Sequence, residues 1–259
     1  MTIGAKVDSA IVEAAPRLLG RDFEVARPSP RGASLDRGNA RSAFTLIELL
    51  TVIGIIAIFS GIIAVALRGG DKSQARDATV STLSSLIASA RSSAALRGVN
   101  AALLINADTA NPERYRRYVV VCTANATSGL WEPVDAGVML PVGVFVLTNA
   151  NPLPTSGPGL HKESSDSWTR PSGGELRSTV LSTSVTQAVN SATSEVWTYV
   201  SFTPRGTSAG IAGDIVVANG RLLSGAAPAS VLLERPDNVG GISISTYGSV
   251  TILRHREDF

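Results

Sequence analysis

Hydrophobic and polar positions divide this chain into four textures. Residues 1–43 mix charges of both signs with Pro16, Pro28, Pro30, Gly32 and Gly38; 27–40 read as disordered and 11–19 as a short helix at most. From 44 to 67 the chain is apolar almost without interruption: Glu48 is its one charge, and no other occurs before Arg68. Apolar positions then recur at three- and four-residue steps, at Val80, Leu83, Leu86, Ile87, Ala90 and Ala94, with serines and Arg91 between them. That period predicts an amphipathic helix over 68–98, laid on a sheet and stopped by Gly98, with Gly69-Gly70 expected to kink or loosen its start. Unbroken, 44–97 would be about 80 Å long at about 1.5 Å per residue.

Beyond Gly98 the texture changes to short β-branched runs bounded by Gly, Pro or Asn. Strands are expected at 101–105, 118–123, 144–148, 196–202, 214–218, 230–234, 242–245 and 249–253. Asn219-Gly220 reads as a hairpin turn between Ile215-Val216-Val217 and Arg221-Leu222-Leu223, and Tyr247-Gly248 as another. Prolines 152, 154, 158 and 171 make 149–195 an irregular insertion or long loop, disordered or partner-binding, with 178–194 a short helix or loose strand. One helix followed by strands makes the fold class α+β, with the helix against one face of an antiparallel sheet domain over 99–259.

Charge changes this picture little. The sequence has 23 Lys and Arg against 21 Asp and Glu, a formal balance of +2, so bulk attraction to nucleic acid is not implied. The excess lies before Phe44. Arg41 and the basic residues upstream predict a cytoplasmic N-terminus. A helix over 44–67 would measure about 36 Å, against a hydrocarbon core of about 30 Å. Three readings of this segment compete. A secretory signal peptide would have a shorter apolar core and no acid, and Val65-Ala66-Leu67 is not its small-residue cleavage pattern. A plain membrane anchor leaves Glu48 unexplained. An assembly helix gives the acid a purpose, since an ionisable group inside an apolar span is costly and sits there for a reason.

Candidate chemistry is sparse. Cys122, alone in the sequence, excludes an intrachain disulfide and reads as a core residue of its strand. His161 and His255 are far apart, and no H-E-x-x-H, C-x-x-C, P-loop or nucleophile-elbow motif occurs, so neither metal, cofactor nor catalysis is expected. Arg114, Arg116 and Arg117 surround Tyr115 and Tyr118. That composition suits phosphates and bases, but a solvated strand edge is the preferred reading.

Ala43-Phe44-Thr45-Leu46-Ile47-Glu48-Leu49-Leu50-Thr51-Val52-Ile53 closely resembles the processing site of class III signal peptides, found in type IV pilins and type II secretion pseudopilins. The resemblance implies cleavage by a prepilin peptidase between Ala43 and Phe44, N-methylation of Phe44, and Glu48 as the fifth residue of the mature chain, meeting a neighbour's terminal amine during assembly. Ala43 stands where the family usually has glycine, and 1–43 is a long leader, for which a misassigned start is the competing reading. Further pieces resemble the H-type minor pseudopilins and FimT-like minor pilins: Ser89 to Gly98 at the helix end, the strand Ala101-Ala102-Leu103-Leu104-Ile105, Trp131 followed by Met139-Leu140-Pro141-Val142-Gly143-Val144, Phe202-Thr203-Pro204-Arg205-Gly206, and Gly248-Ser249-Val250. Taken singly, Trp131 and Phe202 read as core.

The resemblance implies a structural subunit, not an enzyme. It would be a single-pass protein of the bacterial inner membrane with its C-terminal domain periplasmic, partnered by prepilin peptidase and by other pilins or pseudopilins through the N-terminal helix. A minor pseudopilin of type II secretion, serving protein export, is the first expectation. A minor type IV pilin, in pilus assembly or DNA uptake, is the second. Under the latter, Arg254 and Arg256 are the candidate nucleic-acid contacts, with Glu257 and Asp258 beside them weakening a phosphate site. An anchored extracytoplasmic enzyme has no supporting motif.

Overall fold

The computed structural model describes residues 45–163, 168–223, 225 and 228–259, with side chains described outside 58–71. The chain divides into two units, with the boundary between Thr51 and Val52. Helix α1 is assigned over Leu46–Arg97, passing through Gly69 and Gly70 without an interruption, although each glycine costs a helix interior about 1 kcal/mol relative to alanine. It ends where Gly98 takes φ +67 and returns its N–H to the Ala94 carbonyl.

Among the described residues twelve strands follow: β1 (Ala101–Asn106), β2 (Tyr118–Ala124), β3 (Trp131–Pro133), β4 (Val138–Met139), β5 (Val144–Val146), β6 (Gly159–His161), β7 (Thr183–Gln187), β8 (Glu195–Phe202), β9 (Gly213–Leu222), β10 (Ser230–Leu233), β11 (Val239–Ile244) and β12 (Val250–Leu253). They form two sheets. The first has the order β3-β2-β1-β8-β7, with β4 also on β2; the second runs β12-β11-β9-β10-β6, with β5 also on β9. Every pairing is antiparallel except β6 with β10, so the fold is α+β with an N-terminal helix and an antiparallel-rich domain.

The period-3.6 stripe of α1 is its buried face. Val80, Leu83, Leu86, Ile87 and Ala90 share one core cluster with Leu103, Ile105, Val121 and Phe202 of the first sheet and Ile215, Val217, Ile242 and Ile244 of the second. Each fully buried aliphatic chain here contributes on the order of 1.5–3 kcal/mol. Alternate residues of the same strands point the other way and need separate cover. On the second sheet that cover is the segment expected as an irregular insertion. Leu153, Leu160, Trp168 and Leu176 pack over Phe145, Val216, Ala218 and Val231. The same segment supplies β6 to the second sheet and β7 to the first. Its prolines and glycines set the bends, while its widely spaced large apolar residues are inside.

The expected Asn219-Gly220 turn is also corrected. Both residues lie within β9, where Asn219 pairs with Val144 and Gly220 with Leu233. A β-carbon on Gly220 would stand 3.0 Å from the Leu232 carbonyl oxygen and 3.2 Å from Phe145, so the glycine serves close strand approach, not a left-handed turn. Tyr247-Gly248 does turn, with Gly248 at φ +76 donating its N–H to the Ser245 carbonyl.

Candidate processing and assembly site

Of the residues the sequence singles out at the N-terminus, Ala43 and Phe44 lie outside the described residues. Glu48 lies in the first turn of α1, exposed. Its Oε2 accepts hydrogen bonds from the backbone N–H and the hydroxyl of Thr45, both at 3.0 Å, while the Glu48 N–H donates to Thr45 Oγ1 at 3.3 Å. Thr45 and Glu48 therefore cap the helix start reciprocally, satisfying donors that a helix N-terminus otherwise leaves open. Both bonds use Oε2, and among the described residues none uses Oε1. The Thr45 bonds thus hold the carboxylate over the start of the helix. The T-x-x-E spacing of Thr45 and Glu48 is the sequence signal for this cap, and the reading from apolar pattern alone passes over it.

Around Glu48 the apolar residues are exposed among the described residues. Leu46 is 80% exposed and Ile47 73%, and Leu49, Leu50, Val52, Ile53, Ile55 and Ile56 are exposed as well. Every side of this stretch is apolar, so burying it needs an apolar surrounding on all sides. Among the described residues no helix is long and apolar enough to cross a membrane. The span expected at 44–67 runs through 58–67, whose side chains are outside the described set.

The arginine clusters differ from their expectations. Arg116 and Arg117 are buried and Tyr115 is 3% exposed, so this segment is not a solvated strand edge. Arg114 pairs with Glu195 at 3.0 Å and stacks 4.0 Å above the Tyr118 ring. Arg117 donates to the Leu140 carbonyl, and burial pulls its pKa below the ordinary arginine value against the opposing pull of Glu113. Their charges are spent inside the fold, which leaves no platform for bases. Tyr115 packs in the core cluster of the second sheet, whereas Tyr118 lies on the outer face of the first, 5.9 Å from Trp197, where Trp131 also meets Tyr199 edge-on at 5.3 Å.

At the tail, Arg256 pairs with Asp237 at 3.0 Å and donates to the Thr169 carbonyl and hydroxyl. Arg254 is exposed, and its backbone N–H donates to Asp258. The N–H groups of His255 and Arg254 hold the Asp258 carboxyl below its usual pKa, which keeps an anion beside both arginines. Cys122 is buried in β2, its thiol pushed up to about 12 by burial and by the charge of Asp135. His161 is buried in β6 and His255 is exposed on the surface. Among the described residues no group of His, Cys, Asp and Glu could hold a metal ion.

Residues 38–64 match the family model described as the prokaryotic N-terminal methylation motif. The match brackets Ala43, Phe44 and Glu48, and the chain is type IV pilin-like or pseudopilin-like in this signature. No curated protein matches the sequence. Among solved structures, the minor pseudopilin EpsH from the type 2 secretion system of Vibrio cholerae aligns with a TM-score of 0.36 and 12% identity, over 69% of this chain and 95% of that one. A likeness of that size establishes neither fold nor function.

Proposed function

We propose that this chain is a structural assembly subunit, a minor pseudopilin of a type II secretion system. The observation that carries the reading is the methylation motif at 38–64 with Glu48 five residues into the chain that begins at Phe44. The precursor is inserted with its basic leader on the cytoplasmic side. Prepilin peptidase cuts between Ala43 and Phe44, and the Phe44 amine is methylated. The stretch 44–67 then leaves the inner membrane bilayer for a bundle of equivalent helices. Both surroundings supply apolar cover to Leu46, Ile47, Leu49 and Leu50, which are exposed among the described residues.

Glu48 sets the register. A carboxylate in an apolar bundle is unfavourable unless a cation neutralises it. The terminal amine of the adjoining subunit is such a cation, and Oε1 is the oxygen left for it. The Thr45 cap orients that carboxylate before the partner arrives. The domain over 99–259 stands in the periplasm and meets partner subunits; it performs no chemistry of its own.

A DNA-binding minor pilin is the second reading, and nothing in the geometry favours it. Arg256 is engaged by Asp237 and Thr169, and the basic cluster at 114–117 is internal. Expressing the full chain with and without a prepilin peptidase, then sequencing the mature N-terminus, tests the leading reading. A product that starts at Phe44 and carries a methyl group is expected. A mature chain that begins elsewhere overturns it.

A further inference from the structure

One exposed apolar residue of the domain sits where polar residues are the rule. Val144 donates its N–H to the Pro141 carbonyl, closing a tight turn in which Gly143 takes φ +84. Leu140 and Val144 on either side are each 1% exposed, yet Val142 at the apex is 84% exposed. Turn apices ordinarily carry Gly, Asn, Asp or Ser. A valine held out by two buried anchors is presented to something apolar.

Its neighbours say what that something is. Val142 and Gly143 line a cavity of about 120 Å³ with Lys72, Ala75, Asn219 and Glu234. Lys72 is paired with Glu234 at 2.7 Å, and its carbonyl accepts from the Asn219 amide. The turn is therefore fixed against α1 at Lys72. That residue is five positions beyond Leu67 in the same helix, about 7.5 Å of rise. On the proposed reading, on which this inference rests, Leu67 ends the membrane stretch and Lys72 lies at headgroup depth. Two more cations stand at this end. Arg221 follows Gly220, whose N–H donates to Gly143, and Arg235 follows Glu234; both are exposed. One exposed apolar side chain near two exposed arginines, with Lys72 already paired to Glu234, suits a bilayer interface with anionic lipid.

We propose that this end of the domain rests on the anionic phospholipid surface of the membrane that holds α1. Val142 enters the interface and Arg221 and Arg235 face headgroup phosphates. The contact fixes the domain against the bilayer until the subunit is extracted into a filament.

The test uses the full chain in vesicles of phosphatidylethanolamine and phosphatidylglycerol, with a nitroxide on Val142→Cys and, as references, on Ile56→Cys and Leu96→Cys. Leu96 is 86% exposed, 24 residues past Lys72 and so about 36 Å along α1. Native Cys122 is buried and stays unlabelled. Power saturation compares accessibility to oxygen and to a water-soluble nickel chelate. The expected result is lipid-like at Ile56, interfacial at Val142 and water-like at Leu96. In R221Q/R235Q the Val142 label should move toward water. Water-like accessibility at Val142 with lipid at Ile56 overturns the proposal and leaves the membrane reading intact. Water-like accessibility at both overturns the membrane reading as well. An unchanged label in R221Q/R235Q removes the headgroup contact.

Discussion

Helix α1 carries apolar residues in two ways. Between Leu46 and Ile56 they occupy every side and are exposed, whereas between Val80 and Ala94 they form one stripe and are buried. The second stretch is satisfied by its own chain, because Leu83 and Ile87 fill space between two sheets. The side chains of the first are exposed among the described residues. A side chain's hydrophobicity is the same in both places; its angular distribution decides whether folding or assembly consumes it. The single acid of the first stretch fits that division. Glu48 is tied to Thr45 and to no other described residue.

Glu48→Ala gives the largest expected effect. Incorporation into the filament should fall to background, measured by shearing and immunoblotting. The midpoint of thermal unfolding of the domain should be unchanged. Normal incorporation of this variant would remove the register role and with it the proposed mechanism. The opposite behaviour is expected in the second stretch. Leu83 is fully buried, and Leu83→Ala leaves a cavity that costs about 2–5 kcal/mol. Denaturant unfolding of the full chain in detergent should read that loss, and a change below about 1 kcal/mol would show that the stripe is not the domain's core. Arg91→Ala is a smaller change. Its Nε–H donates to the Gly206 carbonyl at 3.0 Å, tying α1 to the turn after β8. Hydrogen bonds to charged groups contribute about 1.5–3 kcal/mol, and partial exposure of Arg91 puts the expected loss at the lower end of that range.

How much of this was legible in the sequence follows from the range of the interactions. The helix stripe, the apolar strand β1, the β-branched strands β2 and β8, and the α+β class depend on local pattern, and the residues display it. Asn219-Gly220 misleads because the same dipeptide that fits a left-handed turn also fits a crowded strand; only the approach of Leu232 and Phe145 distinguishes them. Residues 149–195 were opaque for a related reason. Leu153, Leu160, Trp168 and Leu176 are spaced by bends, not by a helical or strand period, so their common inward face exists only once β9 and β10 are beneath them. Arg114 reads as surface charge because its partner Glu195 is far away in sequence, and so do Arg116 and Arg117, whose partners Thr198 and the Leu140 carbonyl are also remote along the chain. At the candidate site, Glu48 is conspicuous as an acid in an apolar run, and the resemblance of residues 43–53 to a prepilin processing site supplies its role. Its cap on Thr45 was legible as T-x-x-E and needed only the local spacing.

The smallest expected effect is the sharpest test of the comparison. Ile53 is 58% exposed although it is as apolar as Ile87, which is fully buried. If the first stretch has no partner within the chain, Ile53→Ala removes nothing that the folded domain uses. Its unfolding free energy should then stay within about 0.5 kcal/mol of the parent, as for surface substitutions generally. Ile87→Ala, with the same chemistry in the same helix, should cost about 2–5 kcal/mol. The pair is measured in one detergent by one denaturant series, so micelle effects on the first stretch enter both curves. Equal losses would mean that Ile53 packs on the protein itself, and the division between a folding half and an assembly half would fail. A near-zero loss at Ile53 together with weaker filament incorporation would locate its apolar partner in another subunit.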